Sequence, residues 1–205
     1  MITENSMLMR NARSALSGKW GRGIGVCIVY LIVGILFELI PILGNFLWIM
    51  ITAPMYLGLC MYFLAFIRNE SPELNYLFKG MNNYITGFIT YWLPCLYALL
   101  WLLLFIIPGI IAFLSYSQAL FIVADDPGIR ANDAIKKSKQ MMYGYKKQYF
   151  FLGLRMAVLG LLCILTLGIG FIWLMPYAMT CFALFYEEVK KSYEEKENVV
   201  VEEGL

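Results

Sequence analysis

No histidine occurs in the 205 residues of this chain. Its absence excludes histidine-ligated zinc, Ser-His-Asp hydrolysis and histidine proton relays. Charge is scarce too: Asp, Glu, Lys and Arg make up 15% of the residues, where soluble domains carry about a quarter. The cysteines are Cys27, Cys60, Cys95, Cys163 and Cys181, all within apolar runs and none in CxxC spacing. They read as small apolar residues, not as redox or metal ligands. No stretch is polar enough and long enough to make a soluble domain. The charged segment before Trp20 is long, and the apolar run after it has no small-residue cleavage site before Pro41, so that run is expected to be a retained span and not a signal peptide.

What remains is overwhelmingly apolar, with 61% hydrophobic residues and 16% aromatics. An apolar run of about 18 residues or more is long enough to cross the hydrocarbon as a helix. Six runs fit or approach this length: about Trp20–Ile40, Phe46–Ile67, Tyr84–Ile107, Ile110–Ala124, Tyr149–Leu165 and Phe171–Glu187. They fall into hairpins joined by Pro/Gly turns at Pro41-Ile42-Leu43-Gly44, Pro108-Gly109 and Thr166-Leu167-Gly168-Ile169-Gly170.

Each hairpin follows a short amphipathic stretch that ends in glycine. Gly18, Gly80 and Gly144 recur at a spacing of about 62 and 64 residues, a near-constant period. Met7–Ser17 sets Leu8, Ala12, Ala15 and Leu16 against Arg10 and Arg13. Ser71-Pro72 reads as a helix start for Ser71–Lys79, with Leu74, Leu77 and Phe78 as its apolar stripe. Asp126-Pro127 repeats that start for Pro127–Tyr143, where Ala131, Ala134, Ile135, Ser138 and Met142 share a face. Such helices are too short to span and are expected to lie in the interface, the glycines serving as C-caps.

The expected architecture is therefore an all-α integral membrane protein. It has six transmembrane helices, arranged as three helix-plus-hairpin repeats about a pseudo-threefold axis, with interfacial amphipathic helices. One membrane domain, 1–190, holds units of about 1–69, 70–125 and 126–190, and 191–205 is expected to be a charged, flexible tail. Of the sixteen Lys and Arg residues, all but Arg155 lie outside the runs or at their edges, and none lies in a hairpin turn. The positive-inside rule then places the chain in the cell membrane as a multi-pass protein, with both termini and the long connections cytoplasmic.

From Pro108 onward the residues carry a family resemblance. They include Pro108-Gly109-Ile110-Ile111, Ser115-Tyr116-Ser117, Ala124-Asp125-Asp126-Pro127, and Ala134-Ile135-Lys136-Lys137-Ser138-Lys139 with Met142 and Gly144. Leu165 through Gly170, Pro176-Tyr177 and Phe185-Tyr186 complete the pattern. It resembles domain-of-unknown-function family 975, a family of uncharacterised bacterial integral membrane proteins. The resemblance implies a bacterial membrane protein and no particular activity. The family often has Asn where this chain has Asp126 and a small polar residue where it has Arg130.

Few residues carry chemistry. Asp125 and Asp126 could bind a cation or act as acid and base, but a helix-start cap is the simpler reading. Lys136, Lys137, Lys139, Lys146 and Lys147 form a basic cluster that suits anionic headgroups on the cytoplasmic side, at roughly 1 kcal/mol per cation. Glu38 is close enough to Pro41 to reach the outer interface. Pro54 and Pro176 fall inside runs and would kink them. Arg155 stands alone at depth. Counting inward from the charged ends puts it level with Gln118, Ser115 and Thr180 at roughly 10–12 Å, so the four are expected to form one intramembrane polar layer.

The leading functional reading is a non-enzymatic membrane scaffold that organises lipid or a membrane-protein partner. The alternative is a small transporter or channel with a path along the threefold axis. An enzyme is the weakest reading, because only Asp125 and Asp126 could serve it. No catalytic residue, metal or cofactor is expected, and no nucleic-acid partner, since no basic domain projects from the membrane.

Overall fold

A computed structural model describes residues 3–40, 43–104 and 106–203, and the backbone alone at 101–104, 106 and 199–203. Among the described residues every regular element is helical. In chain order they are α1 (Asn5–Leu16), α2 (Trp20–Glu38), α3 (Leu43–Ile67), α4 (Tyr76–Lys79), α5 (Tyr84–Leu104), α6 (Ile106–Tyr116), α7 (Ala119–Asp125), α8 (Ala131–Met141), α9 (Lys146–Leu165) and α10 (Phe171–Glu203). A short 3-10 turn, Gly80–Asn83, joins α4 to α5. Four segments are long and apolar enough to cross a membrane: Trp20–Glu38, Leu43–Ile67, Ile107–Asp125 and Lys146–Leu165. This is the build of a membrane protein.

The helices sort into an inner and an outer set. α3 is the hub and packs against α2, α4, α5, α7 and α10. Its buried face carries Met55, Leu59, Tyr62, Phe63 and Phe66, which meet Phe121 and Ile122 of α7 and Phe185 and Tyr186 of α10 in one continuous core. Rings interlock there: Phe121 stacks on Tyr186 with centroids 5.7 Å apart, and Tyr62 meets Phe63 edge-on at 5.4 Å. α2, α5 and α9 lie outside, with long apolar faces turned outward at Ile35, Leu36, Leu99, Leu161 and Leu165.

α1 packs on α10 through Leu8, Ala12 and Leu16, as its amphipathic pattern requires, and leaves Arg10 and Arg13 exposed. α8 likewise buries Ala131, Ala134, Ile135, Ser138 and Met141. Gly18 and Gly144, just beyond these two helices, take left-handed backbone at φ 74° and 88°, where glycine has no steric penalty.

The second amphipathic stretch differs. Ser71–Lys79 is not one helix; only Tyr76–Lys79 is helical. Ser71-Pro72 does not start it, because the chain is still leaving α3 at that point. Asn69 at φ 61° closes α3, with its N–H bonded to Phe66 O and the Glu70 N–H to Ala65 O. This is the paired bonding of a Schellman end. Ser71 remains left-handed at φ 49°. Gly80 does follow the last residue of α4, but at φ −60° it is right-handed and not the left-handed glycine cap seen at Gly18 and Gly144. A Cβ on Gly80 would sit 2.0 Å from Pro54 O, and one on Gly58 would sit 2.0 Å from Leu77 O. These glycines let two backbones touch.

Other boundaries also shift. Pro108-Gly109 is not a turn but lies in the first turns of α6, where proline needs no N–H partner. Pro41 and Ile42 of the first expected turn lie outside the described residues, whereas the turn Thr166–Gly170 stands where expected, between α9 and α10. The fourth run is interrupted at Ser117-Gln118, between α6 and α7. α8 begins at Ala131 and not at Pro127: Asp126 Oδ1 accepts the Gly128 N–H at 3.1 Å, and this turn uses up the Pro-Gly pair first. The tail is helical, as α10 runs on to Glu203. Ser192 meets the Tyr145 hydroxyl at 2.7 Å, and the Tyr193 hydroxyl donates to Gln140 Oε1 at 3.3 Å, so the tail docks on the α8–α9 joint.

Candidate functional site

The densest polar cluster gathers where α3 and α7 end and α10 turns from apolar to charged. Arg68, just past α3, puts Nη2 2.6 Å from Asp125 Oδ1 and Nε 2.8 Å from Glu187 Oε1. Lys190 Nζ lies 2.5 Å from Asp125 Oδ2, and the Tyr186 hydroxyl donates to that same oxygen at 3.0 Å. Asp125, only 12% exposed in its side chain, thus receives three donors from two neighbouring segments. Burial alone would pull the Arg68 guanidinium down; the hydrogen bonds and charges of Asp125 and Glu187 outweigh it and hold the group above its ordinary value.

Asp125 is therefore no helix-start cap. It closes α7 and clamps three helices, with Arg68 on one carboxylate oxygen and Tyr186 and Lys190 on the other. Asp126 caps a turn and not a helix. Among the described residues no group of three His, Cys, Asp or Glu side chains is placed to hold a metal ion.

The expected four-residue polar layer does not assemble. Ser115 and Gln118 do come together, at the break between α6 and α7. There the Ser138 hydroxyl of α8 donates to Ser115 O at 2.9 Å and accepts the Gln118 N–H at 3.3 Å. Gln118 Nε2 donates to Ser117 Oγ at 3.1 Å, while its Oε1 is buried without a partner. Thr180 stays apart and donates to Pro176 O of its own helix at 2.7 Å.

Arg155 points the other way. It is exposed on α9, and its Nη1 lies 3.9 Å from Met9 Sδ. The physical reason is that α9 is an outer helix whose inward face belongs to Leu152 and Met156. A guanidinium buried among hydroxyls and an amide would lack a counter-charge and lose its hydration. The residue missed by reading the sequence is Ser138, which stitches the broken helix to α8. Its signal was a hydroxyl on an otherwise apolar face opposite a polar Ser-Gln pair.

Beside that joint, between α3, α5, α6 and α9, lies a cavity of about 270 Å³. Tyr56, Thr90, Tyr91, Tyr116, Ser117 and Tyr149 line it. Tyr56 and Tyr91 meet edge-on with centroids 5.9 Å apart. Ser115 and Thr180 satisfy their hydroxyls on backbone carbonyls of their own helices, and Ser117, in the break, donates back to Leu114 O of α6. Thr90 is buried and its hydroxyl finds no partner.

The basic cluster divides. Lys136, Lys139 and Lys146 line an open cleft of about 600 Å³ with Gln140 and the exposed Tyr143. Lys137 is half-buried, and Lys147 is exposed outside the cleft. Asp133 lies 4.0 Å from Lys136 and 3.5 Å from Arg130, an exposed arrangement worth little in stability. Glu38 is exposed at the end of α2.

Residues 96–193 of the chain match the model of the family described as Protein of unknown function (DUF975), the family its signature resembles. The matched stretch takes in the interrupted α6–α7 segment, Asp125, Tyr186, Glu187 and Lys190 of the clamp but not Arg68, the basic cleft and the α9–α10 turn. No curated protein and no solved structure matches the chain.

Proposed function

We propose that this chain is a non-enzymatic, multi-pass scaffold of the bacterial cell membrane that organises anionic lipid, or a membrane-protein partner, through its charged face. One observation carries the reading. The space between the inner helices is filled by Phe63, Phe66, Phe121, Ile122, Phe185 and Tyr186, each at most 4% exposed, and the Asp125 clamp covers its end. A filled axis supports a body that binds at its surface more than one that conducts through its centre. The basic cleft at Lys136, Lys139 and Lys146 supplies the surface, and guanidinium-free lysine clusters suit headgroup phosphates as point charges.

The reading includes six spans in three units. Its support is a repeated order of burial: α2, α5 and α9, the first helices of the hairpins, lie outside, whereas α3, α7 and α10 in the second halves carry the buried core, although α6 keeps Ile110, Ile111 and Phe113 exposed. It also includes cytoplasmic termini. Single cysteines at the exposed positions Asn45 and Ile169, in a Cys-free background, should react with an impermeant thiol reagent in whole cells, and one at Glu195 should not. Strong labelling at position 195 from outside reverses the topology.

The scaffold reading is tested by extracting the protein with its surrounding lipid in polymer-bounded discs and comparing that lipid with the bulk membrane. Anionic lipid should be enriched, and K136Q/K139Q/K146Q should reduce the enrichment. Lipid identical to the bulk in both would rule out the lipid arm of the reading, and the absence of any co-extracted protein as well would rule out the reading as a whole. The cavity beside Thr90 favours a second reading, a small transporter. Cys95 lines that cavity, so its labelling by water-soluble reagents from both sides of the membrane would favour transport.

A further inference from the structure

A second groove, of about 570 Å³, runs along the outside of α9 and α10 beneath α1. Its walls are apolar: Leu159 and Leu162 from α9, Trp173 and Leu174 from α10, and Trp20 where α2 begins. Arg13 is the one charged residue among those lining it. Arg155 belongs to the same feature. Arg155, Leu159 and Leu162 are spaced i, i+4, i+7 and so share one face of α9, with Arg155 one turn nearer the charged end. Met9, one turn before Arg13 on α1, touches Arg155 through its sulfur at 3.9 Å and also lines the groove.

Neither arginine has a carboxylate partner among the described ion pairs. A thioether is only a weak acceptor. A guanidinium roughly 13 Å along α9 from Lys146 is costly beside hydrocarbon unless an anion meets it. An apolar channel that ends in two unpaired guanidinium groups matches one molecule available at that surface: an anionic phospholipid. Its phosphate can take the arginine fork in bidentate fashion, and its acyl chain can follow the apolar wall.

We propose that this groove holds one anionic phospholipid, its phosphate between Arg13 and Arg155 and one acyl chain along Leu159, Leu162, Leu174 and Trp173. The site rests on the membrane reading but is separate from the lysine cleft, and the test distinguishes the two. Trp20 and Trp173 stand in the groove and report contact with a chain. The full-length protein, with Trp48, Trp92 and Trp101 replaced by Phe, is placed in phosphatidylcholine vesicles. These contain a minor fraction of phosphatidylglycerol brominated on its chains, or the same fraction of brominated phosphatidylcholine.

Brominated phosphatidylglycerol should quench the emission severalfold more than brominated phosphatidylcholine. R13Q/R155Q should bring the two to the same level with helix content unchanged. K136Q/K139Q/K146Q should leave the selectivity intact. Equal quenching by both lipids in the parent means ordinary surrounding lipid and overturns the proposal. So does selectivity that survives in R13Q/R155Q, or selectivity lost in the lysine variant, which would place the recruiting charge at the cleft. Should the three-Phe chain not fold, native mass spectrometry of the wild type and R155Q with added phosphatidylglycerol decides. One lipid retained by the wild type and lost from R155Q is expected; equal retention overturns the site.

Discussion

α3 and α9 contain stretches of the same mean hydropathy and could exchange places in any hydropathy plot, yet 72% of the α3 stretch is buried inside the protein and only 11% of the α9 stretch. The difference lies in shape. α3 offers Gly58, Ala53 and Ala65 among aromatic rings, so other helices can approach its backbone and interdigitate. α9 presents a nearly unbroken coat of Leu, Val and Phe toward the outside. Hydropathy reports what a helix can dissolve in; small residues beside large rings report what it packs against.

The sharpest way to break this contrast is at its largest side chains. Phe63→Ala should cost about 3–5 kcal/mol by leaving a void in the core, whereas Leu161→Ala, on the outer face of α9, should change stability by less than about 0.5 kcal/mol. Thermal unfolding in detergent would read both, and equal effects would refute the inner and outer assignment.

Next in size come the glycines. Gly58→Ala or Gly80→Ala forces a methyl group to within 2.0 Å of a carbonyl oxygen, with a loss of about 1–3 kcal/mol. Gly153 has nothing within 4 Å of the corresponding position, so Gly153→Ala should be neutral or stabilise by up to about 1 kcal/mol through helix propensity. A Gly80→Ala protein as stable as the parent would dissolve the α3–α4 backbone contact.

The Asp125 clamp should show a smaller effect. Asp125→Asn removes the charge that Arg68 and Lys190 share and should cost about 1–2 kcal/mol, because both cations are partly exposed and screened by solvent. The loss should shrink in the Arg68→Gln background if the two act as a pair. Additive losses would mean that they act independently.

How far the residues announce this arrangement varies along the chain. Gly18 and Gly144 were legible because a helix that ends in left-handed backbone favours glycine. The Thr166–Gly170 turn was legible because turn residues interrupt a long apolar run there. Ser71-Pro72 misled because a helix-start signal stood where a Schellman end was still closing, and propensity cannot rank two local signals that compete for the same residues. Pro108-Gly109 misled for a related reason, since Pro-Gly suits both a turn and a helix's first turn. The candidate layer kept Ser115 and Gln118 together but failed at Thr180, which bonds within its own helix, and at Arg155, which is exposed: depth along a helix can be counted, but the direction in which a side chain points depends on which helices stand around it.

Composition by itself determined the solvent. With 61% hydrophobic residues and, Arg155 apart, Lys and Arg kept to segment ends, the chain has to satisfy its backbone inside helices and place its apolar surface in lipid. The sequence also determined where most helices begin and end, because caps and turns are local chemistry. Which helices became core was decided only by tertiary packing. In lipid, Leu gains little by touching a neighbour helix in place of an acyl chain, so burial goes to the helices whose shapes interlock. Tertiary packing likewise decided that Asp125 clamps helices it does not adjoin in sequence, and that Arg155 turned outward beside Met9.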